Sequence, residues 1–408
     1  MKITKHSNLR RVLPLEVHCQ LLLVSGLVAA LSAGVSGAPI PIPRVPKITS
    51  PNYIQITTMP DLGALNGPNP FGQHIVDHGF IQAENGQWQL WACIRGTAVG
   101  RLLYGWQSDS LTSPNWTEIG ITARADPAWG ESVNSQGVET IGAPYFRKID
   151  DTYYVFYHSN GMRAMVSEDG VNYQRMDLGN GGNLLYTNGG RDIMLTKFEN
   201  PEYDDLFYSY STITETATNS YVRLRTSDDL LNWNSPKTVA KGGIAGSDGV
   251  SAESPFVLEL DGYFYLFRAS STTFKTYVYR SPDPTYFGIN DDQYHIATFN
   301  IKAPELIFHE DQWYISDLGD FQGLRLYPLE WTPESDVDED GDVDGLDFLT
   351  IQRDSPELLP IWNATYSGAG GFTNVQPVPE PGFGYLVLLA SFFWEWRSRP
   401  TRSMRNTR

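Results

Sequence analysis

Three carboxylates, Asp77, Asp192 and Glu253, each stand at the start of a short apolar segment that runs into a turn and then an aromatic-rich segment. A carboxyl group held protonated can give a proton to a leaving oxygen, while an ionised one serves as base or nucleophile. A third polar group can steady a developing cation or tune the acid, and hydrolysis of a glycosidic bond requires this division of labour. Each acid also has a plain structural reading. Asp192 could pair with the adjoining Arg191, Asp77 could cap a turn with His78, and Glu253 could be held by an unseen partner at the mouth of a buried strand.

What joins the three is a repeat. Aromatic segments begin at Trp88 (WQLW), Tyr154 (YVFY), Phe207 (FYSY), Phe264 (FYLF) and Trp313 (WYIS). Just before them stand the turns Asn85-Gly86, Asp150-Asp151, Asp204-Asp205, Asp261-Gly262 and Glu310-Asp311. Acidic or Asn-Gly turns between alternating segments are hairpin signals, and the spacing of about fifty to sixty residues suits a four-stranded propeller blade. The expected fold is all-β, a five-bladed β-propeller with a small helical appendage and terminal targeting segments. The segments preceding each turn begin near Asp77-His78-Gly79, Gly142-Ala143-Pro144, Arg191-Asp192-Ile193, Glu253-Ser254-Pro255 and Ala303-Pro304-Glu305. In a closed ring these positions face one another across a single funnel, so the three acids are expected to meet.

Further polar residues near the repeats are candidate substrate contacts. Arg95 and Arg268 end aromatic strands, where they could bind a hydroxyl or form inter-blade ion pairs. His78 adjoins Asp77, and His158 closes YVFYHS, facing either the pocket or a core partner. Glu139 could join the rim or lie in an exposed loop. Glu305 shares a strand face with Ala303 by the two-residue period and is a reserve acid. Ser-Asp turns followed by aromatics, at Ser108, Ser167, Ser227 and Ser281, read as outer-strand structure.

Arg191-Asp192-Ile193-Met194 and Glu253-Ser254-Pro255 resemble the Arg-Asp-Pro and Glu-Cys-Pro motifs of five-bladed propeller glycosidases related to glycoside hydrolase families 43, 32 and 68. The resemblance spans roughly 52 to 331. It implies Asp77 as nucleophile or general base, Asp192 as transition-state stabiliser or modulator of the acid, and Glu253 as general acid. Ile193 and Ser254 depart from the motifs, and Asp77 lacks the Asn-Asp-Pro-Asn-Gly setting of family 32, so fructan is not the expected substrate. The implied activity is a glycosidase acting on a polysaccharide or oligosaccharide, with no cofactor for catalysis. A carbohydrate-binding propeller without turnover is one alternative. A glycan phosphorylase is another, and it needs Arg95, Arg191 and Arg268 to converge on phosphate.

The 408 residues carry a net charge of −17, and both ends are basic, so the acidity is concentrated between them. Such a surface repels phosphate backbones, and no nucleic-acid partner is expected. Residues 1–38 have basic positions to Arg11, an apolar stretch from Leu21 to Leu31 and a small-residue site at Ser36-Gly37-Ala38, as an export signal does. Its removal takes Cys19 and leaves Cys93 alone, so the expected domain of 39–331 has no internal disulfide.

In the expected spacer 332–371, Asp336, Asp338, Asp340, Asp344 and Asp347 occupy positions 1, 3, 5, 9 and 12 of a calcium loop. Gly341 stands at position 6, and Asp342 at position 7 would offer its carbonyl. The loop and the helix-like stretch from Phe348 to Arg353 resemble half of a dockerin; the stretch from Leu358 to Ser367 keeps an apolar pattern without a second ligand set. Within 372–408, Val378-Pro379-Glu380-Pro381, an apolar run to Trp396 and an Arg-rich tail resemble a PEP-CTERM sorting signal. That implies exosortase-type machinery, transient membrane association and a surface or extracellular location.

Overall fold

The computed structural model describes residues 41–179, 182–188 and 190–366. The export and sorting segments expected at 1–38 and 372–408 lie outside the described residues. Among those described, the strands form five antiparallel sheets, and the chain divides into compact units at Thr332 and Pro333.

The first unit is a five-bladed β-propeller. Its first blade runs His74–Gln82, Trp88–Thr97, Gly100–Ser108, Thr117–Ala123. The second has Gly142–Ile149, Thr152–His158 and Met162–Ser167, with Gln174–Arg175 and Leu184–Tyr186 both on the last of these. The third has Arg191–Lys197, Phe207–Thr216, Asn219–Ser227 and Lys237–Ala240; the fourth, Glu253–Leu260, Tyr263–Ser270, Lys275–Ser281 and His295–Phe299. The fifth takes Leu306–His309, Gln312–Asp317 and Gly323–Pro333 from one end of the domain and is completed by Arg44–Ile48 and Ile54–Thr58 from the other. Ile54 pairs with Leu326 and Thr58 with Gly323. The ring is thus closed by hydrogen bonds between strands almost three hundred residues apart, which covers an edge that would otherwise invite pairing with another chain.

All five aromatic segments are the second strands of their blades. Asp261 and Gly262, and Glu310 and Asp311, adopt the positive φ angles that the two central residues of a tight hairpin turn require. Aromatic edges seal the blade interfaces: Trp91 meets Phe146 at 5.5 Å, Phe198 meets Phe264 at 4.8 Å and Tyr265 meets Trp331 at 4.7 Å between ring centroids. Such pairs gain from edge-to-face geometry in addition to burial. Where inner strands crowd the axis, Gly79 is needed, because a Cβ there would stand 2.9 Å from the Pro144 carbonyl. The Ser-Asp turns are structural as expected. Ser167 and Ser227 donate to Asp169 and Asp229, whose carboxylates accept the next backbone amides.

The second unit holds the α-helix Gly345–Asp354 and, after a short 3-10 turn, the α-helix Leu359–Thr365. Asp344 and Asp347 form a capping box on the first helix. Trp362 ties the helices together, donating its indole N–H to the Asp344 carbonyl at 2.7 Å and packing on Phe348.

Candidate active site

Each blade repeats one local distortion. Asp77, Ala143, Asp192, Ser254 and Ala303 all have φ between 36° and 51°. In the first four blades the ladder slips at these residues, between Val76 and His78, Gly142 and Tyr145, Arg191 and Met194, and Glu253 and Phe256. A non-glycine residue in the left-handed region costs energy and persists where the surroundings enforce it. The slip is a β-bulge, which turns side chains out of strict alternation. As a result Val76 and Asp77, Arg191 and Asp192, Glu253 and Ser254, and Lys302 and Ala303 all line the same cavity of about 350 Å³.

The sequence reading placed Glu253 level with Asp77 and Asp192. It stands one residue earlier, in step with Arg191 and Lys302, while Ser254 occupies the bulge position. The offset lets Arg191 and Glu253 meet. Arg191 donates from Nη2 to Glu253 Oε1 at 2.7 Å and from Nη1 to Thr214 Oγ1 at 2.6 Å, and its Nε lies 3.6 Å from Asp192 Oδ2. Ser271 donates to the other Glu253 oxygen. Asp192 Oδ2 also accepts the Ser254 amide at 3.2 Å, and the Thr212 hydroxyl lies 3.0 Å from it. Ser254 Oγ donates to Asp77 Oδ1 at 3.2 Å. Ser254 therefore connects Asp77 with Asp192, and Arg191 connects Asp192 with Glu253.

Burial, followed by repulsion from Asp192 and Glu253, pushes Asp77 up to about 7, against the opposing pull of Arg101 and Arg191. Burial and the Asp192 charge raise Glu253, opposed by Ser271 and Arg191. Crowded carboxyl groups in a desolvated funnel cannot all ionise at once. One group near neutrality and a second biased toward its protonated form can exchange protons with a bound molecule.

The other candidates divide. Arg95 lines the cavity, where its guanidinium meets His74 Nδ1 at 3.1 Å. His78 and Glu305 line a smaller cavity bordered also by Asp77 and Asp192. Burial lowers His78 to about 3, so it is neutral, and its Nε2 is 2.7 Å from Ser316 Oγ. Burial, with the nearby Asp77, raises Glu305 well above the carboxylate range. His158 pairs with Gly142 beside the bulge and does not line the cavity; burial lowers it to about 4, although it lies near enough to feel Asp192 and Arg101.

The substrate contacts expected of Arg268 and Glu139 are corrected. Arg268 is 1% exposed and donates to the carbonyls of Ser251, Gly242 and Gly246, which occupies its guanidinium in holding a loop. Glu139 is buried in an ion pair with Arg124 and accepts the Ala125 amide. Both belong to the framework.

Sequence reasoning missed Arg101, Lys302, Phe274 and Phe321, all on the cavity wall. Two had a readable signal. Arg101 is the cross-strand partner of Arg95, and Lys302 stands just before a positive-φ residue, Ala303, as Arg191 and Glu253 stand before Asp192 and Ser254.

In the second unit the six loop aspartates fall into two groups. Asp336, Asp338 and Asp340 form one and Asp342, Asp344 and Asp347 the other, with one carboxylate oxygen from each member within 4.8 Å of the rest of its group. Asp347 is buried and accepts the amides of Val337 and Asp344 at 2.7 and 2.8 Å. Repulsion from Asp340 raises Asp342. Hard carboxylate oxygens so gathered suit a hard cation.

No protein-family model matches the chain, and no curated protein matches it. Among solved structures it is similar to a thermostable family-43 glycoside hydrolase, at 15% identity and a TM-score of 0.48 over 68% of this chain and 93% of that one. It is also similar to an exo-1,5-alpha-L-arabinanase from a bovine ruminal metagenomic library, at 17% identity and a TM-score of 0.44 over 63% and 93% of the two chains. A third similar structure is an endo-1,4-beta-xylanase from Bacteroides thetaiotaomicron, at 14% identity and a TM-score of 0.48 over 63% and 90%.

Proposed function

We propose that the propeller is a glycoside hydrolase, with Glu253 as general acid, Asp77 as general base or nucleophile, and Asp192 holding the charge balance between them. The observation that carries this reading is the convergence of three carboxylates from three blades on one cavity, with Asp77 and Glu253 shifted upward and Arg191 set between Glu253 and Asp192. A binding pocket for a neutral sugar has no need of three crowded acids, whose mutual repulsion works against the folded state. The phosphorylase alternative required Arg268 in the pocket, and Arg268 is bound to backbone carbonyls instead.

In this reading the enzyme is exported through residues 1–38, sorted through 372–408 with transient membrane association, and carries a calcium-binding, dockerin-like spacer. The acidic loop would supply the ligands, from the groups Asp336, Asp338, Asp340 and Asp342, Asp344, Asp347.

The test is release of reducing ends from arabinan, xylan, fructan and algal galactan oligosaccharides by the mature chain, with and without inorganic phosphate. Phosphate-independent release from a substrate other than fructan is expected. Binding without release from any of them would reduce the propeller to a lectin.

A further inference from the structure

Around the candidate acids of an otherwise strongly acidic chain, the cavity wall gathers cations that the acids do not pair with. Arg191 is committed to Glu253 and Asp192. Arg95, Arg101 and Lys302 line the same space, from the first and fifth blades, which are neighbours in the ring. None of the three makes an ion pair among the described residues. Arg95 is exposed, its guanidinium meeting a histidine nitrogen, His74 Nδ1. Lys302 donates to the Gly319 carbonyl at 2.5 Å and lies over the rings of Phe274 and Phe321, 5.2 and 4.8 Å from their centroids. The side chain of Arg101 makes no hydrogen bond to a described residue, and although its charge opposes the rise of Asp77, that carboxyl stays raised.

A cluster of like charges is held at a cost in self-repulsion. Arg101 acts on Asp77 and Lys302 on the buried Asp317, but neither closes a salt bridge with them, and the side chains of Arg95 and Lys302 contact a histidine and aromatic faces instead. A guanidinium fork and an ammonium close together, with an aromatic face beside them, form a receptor for an oxyanion attached to a ring.

We propose that the first- and fifth-blade wall of this cavity is a subsite for an acidic sugar, so that the substrate is a polysaccharide bearing carboxylate or sulfate groups. The proposal rests on the glycosidase reading for the identity of the site but not on turnover. Arg95 and Lys302 contact the anionic substituent on one sugar unit while Glu253 and Asp77 face the bond to be cleaved. Arg101, the ladder partner of Arg95 on the same wall, adds its charge to theirs.

The test is binding rather than catalysis, measured by calorimetry with full-length protein carrying Glu253→Gln so that ligands survive. Matched oligosaccharides are compared in three arms: uronate-bearing, sulfate-bearing, and the same chains carboxyl-reduced or desulfated. At least one anionic arm is expected to bind roughly tenfold or more tighter than its neutral counterpart, equivalent to about 1.4 kcal/mol. The preference should shrink as salt rises and screening sets in. Which arm shows it tells carboxylate from sulfate. In the exposed variant Arg95→Ala, and in Lys302→Met, which keeps the apolar stem over the rings, affinity for the anionic arm should fall by a larger factor than affinity for the neutral arm, so that the preference shrinks. Equal or tighter binding of the neutral chains would overturn the proposal, as would a preference that survives both substitutions. Wild-type turnover that strictly requires inorganic phosphate would assign the cations to phosphorolysis and overturn it as well. Failure of the wild type to hydrolyse a chain that it binds with the expected preference would count against the glycosidase reading alone.

Discussion

Glu253 is the residue on which the proposed chemistry turns, because it is biased toward its protonated form and yet held by two donors, Arg191 and Ser271. In the proposed role of general acid it matters most when the leaving group is poor. Glu253→Gln should therefore lower turnover of natural oligosaccharides by about 10²–10⁴-fold and affect aryl glycosides with acidic leaving groups far less. Steady-state rates on the two substrate types check this; equal losses on both would remove Glu253 from the acid role.

Asp77 gives a prediction in stability. Its folded-state value is raised to about 7 from the usual 3.8, so the fold favours the protonated form. That contribution is fully present below about pH 4 and is lost as pH rises through 7. Asp77→Asn cannot ionise, so its melting temperature should exceed that of the wild type at pH 8 and match it near pH 4. Thermal scans at the two pH values check the sign, and a variant less stable at pH 8 would mean that the carboxylate is favourably held when charged.

Among the elements, the inner-strand bulges of the first four blades and the matching kink at Ala303 position the site, and they explain what could and could not be read from residues. The aromatic second strands and their acidic turns were legible because hairpins are local: the turn residues and the alternation lie side by side in sequence. The meeting of Asp77, Asp192 and Glu253 was legible because blade repetition converts sequence period into angular position. The one-residue offset of Glu253 was hidden, since a bulge changes which neighbours share a face without altering any local pattern. Arg268 misled for a related reason. It ends an aromatic strand as Arg95 does, but the loop 242–251 folds over it and takes its donors.

The bulge also sets a tolerance that can be measured. Ser254 has φ 45°, which glycine accepts and a β-branched residue resists. Ser254→Gly should keep the fold while freeing Asp77 from its hydroxyl partner, and Ser254→Val should lower the melting temperature by several degrees. Equal melting of the two variants would show that the left-handed geometry is not enforced.

For the molecule as a whole, closure of the ring was the least legible feature. The strands Arg44–Ile48 and Ile54–Thr58 carry no blade signature of their own, yet they complete the fifth sheet. Deleting 41–58 should expose the edge of Gly323–Pro333, and sedimentation should then show self-association beside a lowered melting temperature. A monomer of unchanged stability would mean that closure rests on inter-blade packing alone. In the second unit, calorimetry of the full chain should detect calcium binding that Asp340→Ala abolishes; no heat in the parent chain would leave the aspartate loop a solvated turn.

The central claim is that acids carried by separate blades work as one catalytic set, and a double-mutant cycle on hydrolysis tests it most directly. With kcat/KM measured on one cleaved oligosaccharide, Asp77→Asn and Glu253→Gln should each cost about 10²–10⁴-fold, and the double variant should lose little more than the worse single one, as residues acting as a unit do. Losses that multiply as for independent sites, or a single substitution that leaves the rate unchanged, would contradict the account.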